Sequence, residues 1–317
     1  MITEPGIYTD IPERDYHGDP CPTPSLSASI IKVLDKESPG HAWSEHPRLN
    51  RTKALEIEHS TKTQGMGTAL HKLILGKGRP LKILNFDDFR TAAARTARDT
   101  AIGNGETPLL AKEMDRAEVI AEAARRRIAK SRFAHLFGAD QGDAEVTLVW
   151  REKNGIYCRS RIDWLPHTAR AGGHITVIDI KTTEMSANPT EWQRTMFDFG
   201  GDIQDAFYKR GLRQLIPGVR SVDFIFTVIE QKPPYAVSFC EVSGETFENA
   251  KDTVDLAIKS WGALLERGTD LDQWPLYEDA VEQIDPPIWR KTASEMRRLR
   301  MQHRIAEWQR PLEGKAA

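Results

Sequence analysis

The stretch Ile175-Thr176-Val177-Ile178-Asp179-Ile180-Lys181-Thr182-Thr183 constrains everything around it. It is short, rich in β-branched residues and preceded by Gly172-Gly173, so it predicts a strand entered from a turn. Alternate side chains of a strand share a face. Ile175, Val177, Asp179 and Lys181 therefore point one way, and Thr176, Ile178 and Ile180 the other. A core-like strand thus carries a carboxylate and an ammonium side by side near its C-terminal end. Burying charges unpaired is costly, so the pair needs a reason. A salt bridge closing a sheet strand is reason enough for Asp-x-Lys by itself, and only the surroundings can argue for chemistry.

Asp163 lies sixteen residues before Asp179, at the end of a second strand-like run. Glu145–Trp150 alternates, with Val146, Leu148 and Trp150 on one face. Asn154-Gly155 supplies a hairpin turn, and Tyr157–Leu165 returns with Arg159, Arg161 and Asp163 on one face. Two carboxylates and a lysine would then converge. That set suits a hard divalent cation with oxygen ligands, beside a fixed cation that supports developing negative charge. Glu145 has the parity of Thr147 and Val149, which fits either an acid close to a metal or an exposed residue at a strand end.

These residues resemble the core of the PD-(D/E)xK nucleases, with Asp163 followed by Asp179-Ile180-Lys181. Gly67-Thr68-Ala69-Leu70-His71 is similar to the Gly-x-x-x-His helix of the RecB-like branch, and Gln204-Asp205-Ala206-Phe207-Tyr208 to its Gln-x-x-x-Tyr helix. Gly6-Ile7-Tyr8, Pro24-Ser25-Leu26-Ser27-Ala28-Ser29, Trp274-Pro275 and Pro287-Ile288-Trp289 resemble the RecE-type (exodeoxyribonuclease VIII-like) exonucleases of phages and prophages. Each motif is short and weak alone, whereas their order along the chain is specific.

The resemblance implies an α/β fold with a mixed central sheet flanked by helices on both faces. It implies Mg²⁺ or Mn²⁺ held by Asp163, Asp179, the backbone carbonyl of Ile180 and His71. Lys181 would help to deprotonate the attacking water and then stabilise the phosphate, while Gln204 and Tyr208 position the lysine and the scissile strand. Ser27, Ser29, Thr182 and Arg161 are the expected DNA contacts. The implied reaction is 5′→3′ exonucleolytic resection of double-stranded DNA ends, leaving 3′ overhangs. A RecT-like single-strand annealing protein as partner, a homo-oligomeric ring, and phage or prophage origin complete the expectation.

The rest of the chain bounds this reading. The 317 residues suffice for one large domain or two small ones. No apolar run approaches 18 residues, so no membrane span is expected. Met1-Ile2-Thr3-Glu4-Pro5 lacks the basic and apolar regions of a secretory leader, and the cysteines Cys21, Cys158 and Cys240 are far apart, which together predict a reducing cytoplasm. Three cysteines are also too few for a four-thiolate iron–sulfur cluster. Net charge is −2, so any nucleic-acid surface must be local. The largest local excess of positive charge is the predicted helix Trp289–Arg310. A DNA contact, a solubilising tail and a docking helix all fit it.

The expected organisation is an N-terminal arm and helix over 1–60, a nuclease domain over 61–270, and a basic helical tail over 271–317. Residues 1–24 read as an extended, turn-rich arm in which five prolines limit helix. Helices are expected at Ser27–Leu34, capped by Ser25 or Ser27, at Thr63–Leu75, at Ala111–Phe137, at Ile203–Ile216 capped by Asp202, and at Thr246–Arg267. A second hairpin, Val222–Glu230 and Tyr235–Val242, extends the sheet. Gly103–Pro108 reads as a loop. Gly65 and Gly67 cost roughly 1 kcal/mol each in a helix, which close approach of a strand or a nucleic-acid backbone would explain. Competing functions are an end-processing or structure-specific endonuclease of the same chemistry, and a DNA-binding relic that no longer cuts.

Overall fold

The predicted strand around Asp179 is the spine of the structure, a computed structural model that describes residues 1–56, 62–138, 140–277, 279, 281 and 283–308. The chain divides into two compact units, Met1–Leu276 and Tyr277–Ala317. In the first unit six strands form one sheet: β1 (Gly6–Tyr8), β4 (Gly142–Arg151), β5 (Tyr157–Pro166), β6 (Gly173–Thr183), β7 (Val219–Glu230) and β8 (Val237–Cys240), in that spatial order. Only β6 and β7 run parallel; every other neighbouring pair is antiparallel. β2 (Leu81–Leu84) and β3 (Thr107–Leu110) make a separate parallel pair. The helices of this unit are α1 (Glu13–His17), α2 (Ala28–Lys36), α3 (Pro39–Glu45), α4 (Arg51–Glu56), α5 (Lys62–Leu75), α6 (Ala92–Gly103), α7 (Ala111–Ala129), α8 (Pro189–Asp198), α9 (Gly201–Leu215) and α10 (Gly244–Arg267).

The period-2 pattern of β6 feeds two cores. Ile175 and Val177 pack with Ile203 and Phe207 of α9, Val254 and Trp261 of α10 and Ile31 of α2. Ile178 and Ile180 pack on the other face with Leu70 of α5 and Ile120 of α7. Helices on both faces of a mixed sheet are the architecture expected from sequence. The crossover from β6 to β7 runs through α8 and α9 and seats α9 over the sheet. At Gly211 a Cβ would lie 2.7 Å from the Trp150 ring, so any side chain there would push α9 off β4.

Several expectations need correction. The first 24 residues are not simply extended. Gly6–Tyr8 pairs with Thr147–Val149 as an edge strand, and α1 begins directly after Pro12, where proline's fixed φ suits a helix start. The predicted helix Ala111–Phe137 stops at Ala129, and a 3₁₀ turn follows at Ala134–Leu136. Part of the predicted loop Gly103–Pro108 enters β3. Ser27 occupies the N-cap position of α2 without a capping hydrogen bond; its Oγ lies 2.9 Å from Ser29 Oγ instead. Ser25 is committed to Asp19 and Arg159. Gly200, in the left-handed conformation, is the N-cap of α9, which leaves Asp202 inside the first turn. A Cβ at Gly65 or Gly67 would meet neighbours only at 3.7 Å, so neither glycine is demanded by a tight approach.

The second unit, among its described residues, has the helix α11 (Ile288–Trp308), with Arg290, Arg297, Arg298, Arg300 and Arg304 exposed. Arg310, in the predicted helix Trp289–Arg310, lies outside the described residues. No described helix is long and apolar enough to cross a membrane.

Candidate active site

β5 and β6 are joined at a single ladder pair, Trp164 with Ile178, and the strands splay on either side of it. Leu26 takes up part of the freed edge by pairing with Cys158. At the splay, Asp163 Oδ2 accepts the backbone N–H of Ile180 at 2.7 Å, so a side chain replaces the missing ladder partner. This geometry turns Asp163 toward Asp179 and opens a cavity of about 980 Å³ between α1, α2, α5, α9 and the sheet.

Two linked groups occupy that cavity. In the first, His71 Nε2 on α5 lies 3.0 Å from the Ile180 carbonyl, which only accepts, so Nε2 carries the proton. Its Nδ1 lies 3.8 Å from Asp163 Oδ2 and 3.9 Å from Glu145 Oε1. Burial would lower the imidazole, but the Asp163 and Glu145 carboxylates outweigh it and raise His71 to about 9. In the second, Asp179 Oδ1 accepts from Gln204 Nε2 at 2.6 Å, and Lys181 Nζ sits 2.5 Å from Asp179 Oδ2. The Lys181 ammonium is thus the charge partner of this buried oxygen. Burial, aided by the Asp163 carboxylate, pushes Asp179 up. Burial opposes the ammonium of Lys181, yet Asp179 and Asp163 more than compensate and raise it.

The sequence-derived candidates fall into place unevenly. His71, Asp163, Asp179, Lys181, Gln204 and Tyr208 all line the cavity, as do Ser27, Ser29 and Arg161. Gln204 reaches Asp179, not Lys181, because α9 approaches the strand over position 179. Tyr208 is buried edge-on against Phe224, and burial pushes its phenol well above the ordinary value. Arg161 is not a free cation: its side chain lies over the Tyr16 ring, donates to the Ile11 carbonyl and sits 3.6 Å from Glu145. Thr182 accepts from Gln231 and does not line the cavity.

Glu145 is the residue that sequence reasoning left undecided. It stands mid-strand with φ +56, and Val146 and Ala144 on either side of it enter different cores. That reversal swings its carboxylate inward, where His71, Glu145 and Asp163 offer ligand atoms all within 4.8 Å of one another. One imidazole and two carboxylates gathered this closely are a donor set that would suit a divalent ion. Asp179 Oδ2 is in contact with the Lys181 ammonium, and the Ile180 carbonyl is engaged through Nε2, on the other side of the imidazole from Nδ1. Carboxylates and carbonyls favour Mg²⁺, and the imidazole shifts the preference toward Mn²⁺.

The model of a PDDEXK-like domain of unknown function (DUF3799) matches residues 27–277. The crystal structure of a candidate exonuclease from Eubacterium rectale is similar in fold, with a TM-score of 0.50 at 13% identity over 89% of this chain and 96% of that one. A phage-related exonuclease from Haemophilus somnus aligns at a TM-score of 0.27, with 16% identity over 63% of this chain and 93% of that one. At that score it bears on nothing further. No curated protein matches the sequence.

Proposed function

The chain belongs to the PDDEXK-like domain family (DUF3799), and on that premise we propose that it is a divalent-metal-dependent nuclease that resects double-stranded DNA ends. The observation that carries the proposal is the splay of β5 and β6. It gathers Glu145, Asp163 and His71 beside a buried Asp179–Lys181 pair in one open cavity.

Glu145, Asp163 and His71 would hold the ion, with Asp179 lining the same cavity. Bound there, Mg²⁺ or Mn²⁺ supplies Lewis-acid polarisation of the phosphoryl group and a lowered pKa for water. Lys181, kept as an ammonium by Asp179 and Asp163, donates to a non-bridging phosphate oxygen as negative charge builds. In this role it is a cation and not the acceptor of the water's proton. Gln204 fixes the rotamer of Asp179 and through it the reach of Lys181. Tyr208, one turn further along α9, walls the site against Phe224. The motif order resembling RecE-type exonucleases supports 5′→3′ polarity, a 3′ overhang as product, a homo-oligomeric ring and service to a single-strand annealing protein.

Digestion of a linear duplex labelled separately at its 5′ and 3′ ends tests this reading. The reactions contain Mg²⁺, Mn²⁺ or EDTA, and include Asp179→Ala and Lys181→Ala. Early release of the 5′ label, abolished by EDTA and reduced about a thousandfold or more in both variants, is the expected result. Early release of the 3′ label would keep the site and overturn the polarity. Binding without release under either metal would make the protein a non-cutting DNA binder.

A further inference from the structure

A second cavity, of about 440 Å³, adjoins the metal group, and the cleavage chemistry above does not use it. The two cavities share Glu13, Gly78, Arg79, Glu145 and Arg161, so they meet at one junction. Arg79 stands there with its guanidinium on both carboxylate oxygens of Glu13, at 3.2 and 3.3 Å. Arg161, beside Glu145, is a second cation at the junction. Beyond it, Ile11, Pro12, Pro80 and Ile102 line the cavity together with Gly103 and Gly105.

Side chains and turns hold these walls in place. The chain leaves α5, which carries His71, through Gly76 at φ +74 and Gly78 at φ +130. Lys72 Nζ donates to the Gly78 carbonyl at 3.1 Å, and the turn delivers Arg79 to the junction. Lys77 donates to the Thr9 carbonyl and Arg161 to the Ile11 carbonyl, which fixes the segment before α1 as one wall. The end of α6 supplies another, and the backbone N–H of Thr107 donates to the Pro80 carbonyl at 2.7 Å to join the β2–β3 pair to it.

Apolar walls with a few charged groups at one end make a small-ligand pocket, and the volume falls within the usual range of roughly 300–1,000 Å³. The charged end selects an anion. A guanidinium fork that fits a carboxylate fits two oxygens of a phosphate equally well, and a phosphate monoester carries more charge than Glu13 does. The apolar part suits a planar base. Exonucleolytic hydrolysis in the adjoining cavity would release molecules of this composition. We infer that the second cavity binds a nucleoside monophosphate, with the phosphate on Arg79 in place of Glu13 and the base among Ile11, Pro12, Pro80 and Ile102. The inference rests on the nuclease reading for the identity of its ligand. A nucleotide held there shares Glu145 and Arg161 with the metal cavity, so released product and bound strand compete at the junction.

The test is isothermal titration calorimetry of the full chain in EDTA, so that no metal-held phosphate contributes. The probes are deoxyadenosine monophosphate, deoxyadenosine and inorganic phosphate. The monophosphate is expected to bind about tenfold more tightly than either fragment. Arg79→Gln should bring it down to the level of deoxyadenosine, and Arg79→Lys should keep part of the gain. Gly103→Phe should fill the cavity and weaken the monophosphate and deoxyadenosine alike, again by about tenfold. Gly103 is exposed, its φ is not left-handed, and a Cβ there meets nothing within 4 Å, so this variant is expected to fold, which cooperative thermal unfolding checks.

No monophosphate binding at millimolar concentration, equal binding of inorganic phosphate alone, or an affinity unchanged in either Arg79→Gln or Gly103→Phe would overturn the site. Cleavage of a labelled duplex with Mg²⁺ is measured in parallel. Absent cleavage, with monophosphate binding that both variants weaken, removes the nuclease reading and leaves a nucleotide pocket. Intact cleavage without monophosphate binding removes the pocket and leaves the nuclease.

Discussion

Two aspartates of this chain are almost equally buried and behave in opposite ways. Asp19, 4% exposed, accepts from the backbone N–H and the hydroxyl of Ser25 at 2.8 and 2.6 Å and lies 3.3 Å from Arg159. His46 Nε2, which donates to the Ser25 carbonyl, is 3.4 Å away. Burial would raise this carboxyl, but Arg159 and the hydrogen bonds hold it well below the usual range. Asp179, 1% exposed, has one amide donor and one ion contact, and burial pushes it up. The first is a completed network that pins the N-terminal segment to β5. The second lines a cavity, with one amide and one ammonium as its partners. Burial alone therefore does not mark a functional carboxylate; a place on a cavity beside other ionisable groups does.

The contrast is best broken at Asp19. Asp19→Ala leaves Arg159 buried without its carboxylate, and a loss of about 3–5 kcal/mol in stability is expected from denaturant titration. An equal loss in Asp179→Ala, measured in EDTA, would erase the distinction, since Asp179 should be dispensable for folding. A second measurement compares melting with and without Mn²⁺. Saturating metal at about a hundred times its dissociation constant should stabilise the folded state by about 2.7 kcal/mol. Glu145→Gln should remove most of that gain while leaving the melt in EDTA nearly unchanged, and retention of the full shift would take Glu145 out of the metal group.

The two carboxyls also differ in the sign of their pH dependence. Asp19 is held well below its ordinary value of 3.8, so its stabilisation is complete above that pH and is lost as the pH falls from there through the lower folded-state value. Asp179 is raised from 3.8 to about 6, so folding favours its protonated form and its contribution declines as the pH rises from about 4 to about 6. In metal-free urea melts, Asp179→Asn should flatten that decline by roughly 1–3 kcal/mol, whereas Asp19→Asn should change only the acid limb. The smallest effect belongs to Gln204. Gln204→Ala removes one hydrogen bond to a charged group, and about a tenfold fall in kcat with KM little changed is expected. A fall confined to KM would reassign Gln204 to DNA binding.

Much of the site was legible before the fold was known. The period of two in Ile175–Thr183 divides its residues between the two cores as observed, and Asn154-Gly155 places the hairpin turn, with Arg151 opposite Tyr157. The spacing of Gln204 and Tyr208 puts both on the sheet-facing side of α9. Glu145 escaped because its left-handed conformation lies where alternation predicts continuity. The ladder vacancy that Asp163 fills leaves no trace in composition or spacing.

By itself, then, the sequence determined which residues share a face, where the chain turns and which chemistry-bearing side chains stand at the end of the central strand. These are local consequences of backbone period and turn conformation. Tertiary structure alone decided that β5 and β6 stay joined at one pair, that Glu145 turns inward and that Gln204 serves Asp179. Such outcomes depend on distances between elements far apart in the chain, which are set by how two cores pack on one sheet.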